Sequence, residues 1–81
     1  MTNNIIIKYP GESENQIQVE SDLQPTALLE TIFNWFNAGS NNECKYFLAN
    51  KMRSLSVGDF VSINGIWYKC MPVGWKMENP A

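Results

Sequence analysis

The dipeptide Asn64-Gly65, set between Phe60-Val61-Ser62-Ile63 and Ile66-Trp67-Tyr68-Lys69-Cys70, constrains the fold more than any other feature of this chain. A two-residue hairpin turn whose twist matches its strands needs positive φ at both central positions, and Asn and Gly adopt it at least cost. Such a turn also sets the register: Ile63 opposite Ile66, Ser62 opposite Trp67, Val61 opposite Tyr68, Phe60 opposite Lys69. Side chains alternate along a strand. Val61, Ile63, Ile66, Tyr68 and Cys70 are therefore expected on one face, and Phe60, Ser62, Trp67 and Lys69 on the other.

The rest of the chain supplies partners for this hairpin. Asn4 to Tyr9 (NIIIKY) is rich in β-branched residues and reads as a strand, broken by Pro10-Gly11. Gln16 to Glu20 alternates strictly, with Ile17 and Val19 on one side, so the two segments form a second hairpin across a longer, polar loop. Pro25 suits the first turn of a helix, with Asp22 or Gln24 to cap it. Leu28, Leu29, Ile32, Phe33 and Phe36 make one wide apolar stripe flanked by Trp35. The polar run from Asn37 to Asn42 stops the helix, with Gly39 placed for a left-handed cap. The segment Glu43 to Met52 satisfies both periods, and its Tyr46-Phe47-Leu48 core favours strand. Val73 to Met77 reads as a short edge strand. The expectation is one small domain spanning residues 1–81. Its fold class is α+β: an antiparallel, twisted sheet of four or five strands with the Pro25–Asn37 helix packed on one face.

Composition narrows the function. With 44% apolar and 12% aromatic residues the chain can fill a core. No apolar run approaches the roughly 18 residues of a membrane span, and the N-terminal residues lack a secretory pattern, so a cytoplasmic location is expected. Histidine is absent, which removes the usual general base and metal ligand. Cys44 and Cys70 are too few for a disulfide framework and too far apart in sequence for a metal motif; they read as reduced, mostly buried thiols, unless the fold brings them together. Ser54 and Ser56 near Asp59 have no base beside them, and hydroxyls before a turn commonly bond local backbone. Asp59 is expected to accept from turn amides. Gly58, Gly65 and Gly74 are turn glycines without phosphate-loop spacing. No enzymatic activity, cofactor, metal or small-molecule substrate is expected.

The spacing Arg53-Ser54-x-Ser56-Val57-Gly58-Asp59-x-Val61, then Tyr68-x-Cys70, then Gly74-Trp75 resembles a pattern in small proteins of bacterial phages, plasmids and related genomes. It covers about the last third of the chain. The resemblance implies a setting, that of accessory proteins of mobile elements, and no chemistry.

Binding remains. Phe60, Trp67, Lys69 and Trp75 are expected on the sheet face away from the helix, with Arg53 as a further cation. Aromatics beside cations anchor protein interfaces, and they also stack on single-stranded nucleic acid. Charge is split along the chain. Residues 1–43 carry one cation against six carboxylates, and residues 44–81 five cations against two. A net charge of −2 forfeits much of the affinity that phosphate contacts supply. The favoured expectation is a protein partner or self-association, as in a homodimer. The alternative is single-stranded nucleic acid held by the basic, aromatic C-terminal half.

Overall fold

Buried side chains alternate with exposed or half-buried ones through the first strand, and that alternation decides which side of the sheet meets the core. A computed structural model describes residues 1–80. Its elements are β1 (Thr2–Lys8), β2 (Asn15–Glu20), α1 (Pro25–Trp35), α2 (Lys45–Ala49), β3 (Phe60–Ile63), β4 (Ile66–Cys70) and β5 (Trp75–Met77). The five strands form one antiparallel sheet in the order β2-β1-β3-β4-β5. The fold is α+β, as the residue patterns predict.

The β3–β4 register is the one the Asn64-Gly65 turn demands, with φ of 51° and 90° at the two turn residues. Asn64 does more than turn the chain. Its Oδ1 accepts from the Asn4 backbone N–H at 2.9 Å, its Nδ2 donates to Asn3 Oδ1 at 2.9 Å, and its backbone N–H donates to the Asn4 carbonyl at 2.9 Å. The turn is thus stapled to β1, which lies beside β3 in the middle of the sheet.

Ile5, Ile7 and Tyr9 from β1 and its end, Val61 and Ile63 from β3, and Leu28, Leu29, Ile32 and Phe36 from the α1 segment form one buried cluster. Gln24 stands at the N-cap of α1 but makes no side-chain cap bond, and neither it nor Asp22 caps as expected; Pro25 does occupy the first turn. The helix ends at Trp35, two residues before the expected Asn37, with Phe36 turned into the core. Gly39 has the left-handed φ of 86° but lies in the loop beyond, not at the helix end. Ile66, expected against the helix, is 48% exposed, because it sits at the turn end of β4.

The segment expected as a strand, within Glu43–Met52, is the short helix α2. Phe47 is its anchor, 4% exposed, with its ring edge-on to Phe36 at 5.9 Å between centroids. The Cys44 N–H donates to the Trp35 carbonyl and the Leu55 N–H to the Phe36 carbonyl. These bonds tie the segment to the end of α1, and it meets the edge strand β2 through a side chain, the Tyr46 hydroxyl donating to Asn15 Oδ1 at 3.2 Å, with no strand pairing. The strand propensity of Tyr46-Phe47-Leu48 therefore gave way to these bonds and to the core packing of one ring. Replacing Phe47 with Ala should cost about 3–5 kcal/mol, whereas Leu48→Ala, at an exposed position, should stay within about 0.5 kcal/mol. Chemical denaturation of the two variants checks this; a larger loss at Leu48 would show that the segment faces the core differently.

Candidate functional site

Both helices bury their apolar residues in the cluster on one side of the sheet; the candidate site is the other side. The register builds it row by row. Lys8 pairs with Phe60, Phe60 with Lys69, and Lys69 with Lys76, so these four residues form one line across β1, β3, β4 and β5. The adjacent row is Gln16, Ile6, Ser62 and Trp67. Side chains directly opposite in antiparallel strands point to the same face. Phe60 is only 9% exposed although no helix covers it. Its cross-strand neighbours are Lys8 and Lys69, and long lysine stems cover apolar surface while their ammonium groups stay in water. Ser62 is 1% exposed, between Ile6 and the half-buried Trp67.

The charge pattern of the row is uneven. Lys69 and Lys76 stand directly opposite each other, a like-charge pairing that weakens a ladder. Glu78 offsets this by reaching both, at 3.6 Å from Lys69 Nζ and 3.4 Å from Lys76 Nζ. Among the described residues no carboxylate forms an ion pair with Lys8. Ser62 Oγ is the one buried side-chain polar atom there without a hydrogen-bond partner.

Phe60, Trp67 and Lys69 thus share the expected face, and Trp75 and Arg53 do not. Trp75 pairs with Cys70, which turns its ring to the helix side. There it packs edge-on to Phe33, 6.3 Å between centroids at 82°, and its indole N–H donates to Glu30 at 3.0 Å. The cause is the turn from Met71 to Gly74, closed by the Met71 N–H to Gly74 carbonyl bond, which sets the phase of β5. A cleft of about 390 Å³ beside this contact is lined by Leu55, Met71 and Pro72 as well. Arg53 is a clasp. Its Nη1 and Nη2 donate to the buried Asp59 carboxylate at 2.7 and 2.8 Å, and its guanidinium lies 4.1 Å over the Tyr9 ring. Asp59 also accepts from the Ser56 N–H at 2.8 Å, as a turn carboxylate should. The Tyr9 hydroxyl donates to the Arg53 carbonyl at 2.8 Å, and burial pushes its pKa up to about 12.

Lys8, Lys76, Ile6 and Ser62 complete the face, and the reading of the residues had not included Lys8, Lys76 or Ile6. Only the pairing of β1 with β3 brings Lys8 and Ile6 beside the hairpin, and only that of β5 with β4 brings Lys76. Cys44 and Cys70 are both free thiols, Cys44 half-buried and Cys70 buried; burial also raises the Cys70 pKa. Among the described residues no group of three or more His, Cys, Asp or Glu side chains is arranged to hold a metal. Among the described residues no helix is long and apolar enough to cross a membrane. Comparison of the chain with protein-family models, with curated proteins and with solved structures finds no match.

Two consequences are measurable. Arg53→Ala should lower stability by about 2 kcal/mol, because it strands a buried carboxylate while giving up a half-exposed guanidinium. Lys at that position should recover only part of this, since it cannot make both bonds at once; full recovery would show that the fork geometry is irrelevant. The raised Tyr9 pKa means that its neutral form is favoured in the fold. Its contribution is complete below the unfolded value near 10 and is lost as pH rises towards 12. Ultraviolet titration should find a phenol ionising near 12, with stability falling across that window; a native protein with every phenol ionised by pH 10 would contradict the burial.

Proposed function

We propose that this protein is a non-enzymatic binding module that acts by seating another protein on the open face of its sheet. One observation carries the reading: Trp67, Phe60 and three lysines share a face that no helix covers. A sheet with its apolar layer on one side needs nothing more from its other side than polar residues. Aromatic rings there, ringed by cations, are the composition of an interface anchor.

The same face argues for protein over single-stranded nucleic acid. Phe60 offers little ring surface for a base to stack on, being 9% exposed, and stacking platforms need open ring faces. Eight carboxylates against six basic side chains also set a field that does not draw in polyphosphates. Arg53, spent on Asp59, adds no contact. An accessory protein of the phage or plasmid type, which the last third of the chain resembles, would work in this way, by occupying a surface on a cellular protein. The two free thiols fit a reducing cytoplasm.

Capture of partners from a bacterial lysate on the tagged protein tests this. Partners should survive nuclease treatment and be lost with Trp67→Ala, a variant expected to remain folded because the ring lies outside the core cluster. Loss of every partner on nuclease treatment would replace this reading with the nucleic-acid one. An unfolded Trp67→Ala variant would show that the ring is structural.

A further inference from the structure

Resting on the reading of the open face as a protein-binding surface, we infer the chemistry of its partner: an extended, carboxylate-rich protein segment that crosses the strands along the row Lys8–Phe60–Lys69–Lys76. Three features of the row point there. Its cations outnumber its one carboxylate, Glu78, in a chain whose net charge is −2. The positive row is thus a local reversal of the molecule's overall sign. Lys69 and Lys76 are held opposite each other and share the single carboxylate of Glu78, so two ammonium groups face one anion and an incoming carboxylate would balance the second. Lys8 has no ion pair among the described residues, so its ammonium is available without breaking a contact.

Geometry sets the length. Adjacent strands lie about 4.8 Å apart, so Lys8 and Lys69, with β3 between them, are about 10 Å apart, and the row spans about 14 Å. Four or five extended residues cover that distance. One short acidic segment reaches all three lysines while its apolar residues rest on the half-buried Trp67 in the neighbouring row.

The test uses the full chain and a short synthetic peptide in which glutamate alternates with valine. Its controls are the same peptide with lysine for glutamate, and oligothymidylate. The acidic peptide should shift the backbone amide resonances of Lys8, Trp67, Lys69 and Lys76, and its binding should weaken as salt is added. Lys8→Gln and Lys69→Gln should each weaken it about threefold to fivefold. Lys76→Gln should weaken it similarly with little change in melting temperature, because it removes a like-charge pair and an exposed ion pair together. Equal binding of the lysine peptide would overturn the inference, as would amide shifts confined to other residues. Oligothymidylate binding as tightly or more tightly would overturn the partner class and leave the face intact. If the acidic peptide causes no shifts while Trp67→Ala still abolishes capture from lysate, the inference fails and the protein-binding reading stands; if Trp67→Ala has no effect either, both fail.

Discussion

The pairing of β1 with β3 is the contact on which the rest of the structure depends. It joins residues more than fifty positions apart, Ile5 to Ile63 and Ile7 to Val61, and it turns two separate hairpins into one sheet. A two-stranded hairpin is marginal alone in water, and a sheet needs three or more strands or a packed helix to stand. Here the joined sheet presents Ile5, Ile7, Val61 and Ile63 as a continuous apolar floor, and α1 has something to cover. Asn64 secures the join at one end by three hydrogen bonds to Asn3 and Asn4. At the other end Tyr9, Arg53 and Asp59 lock the chain that leads into β3. Neither clasp is a hydrophobic contact. Both fix alignment, and the apolar floor supplies the driving force.

The same pairing makes the two faces different in kind. On the helix side a single-residue alternation buries four aliphatic residues completely or nearly so. On the open side it sets Lys8 beside Phe60 and Ile6 beside Ser62. The Lys8 stem covers apolar surface, but among the described residues its charge has no ion-pair partner and the Ser62 hydroxyl has no hydrogen bond. A serine hydroxyl buried without a partner costs free energy, and replacement by an apolar group of like size is neutral or stabilising. The opposed Lys69 and Lys76 are a second local cost, which the one carboxylate of Glu78 must offset for both. Local choices that oppose the fold tend to mark function, and here two such choices share the open face with Trp67. That coincidence is the physical content of the binding proposal.

Much of the architecture was legible in the residues because its signals were short-range. Asn64-Gly65 sets a register within eight residues, and the stripe from Leu28 to Phe36 declares a helix and its buried side. What was not legible depended on contacts between distant segments. The Tyr46-Phe47-Leu48 segment carries strand propensity, but it is held at the end of α1 by bonds from Cys44 and Leu55 to Trp35 and Phe36, which no local pattern announces. Trp75 belongs to the helix side because a turn of particular length sets the phase of β5. A single added residue would have placed it beside Trp67. The candidate face was half visible. Phe60, Trp67 and Lys69 follow from the hairpin alone, but Lys8 and Ile6 join them only through β1, and Lys76 only through the phase of β5. Arg53 reads as a free cation until the buried Asp59 beside it is seen.

The central claim is the register of β1 against β3, and proton NMR tests it directly. In this alignment Ile5–Ile63 and Ile7–Val61 are the closely spaced pairs that lie between ladder hydrogen bonds, because the Asn64 N–H donates to the carbonyl of Asn4, the residue opposite it, on one side of them. Strong Hα–Hα cross-peaks are therefore expected between Ile5 and Ile63 and between Ile7 and Val61. Cross-peaks displaced by one residue, such as Ile6 to Val61, would contradict the account. They would turn Ile5 and Ile7 out to the open face and bring Lys8 beneath the helix.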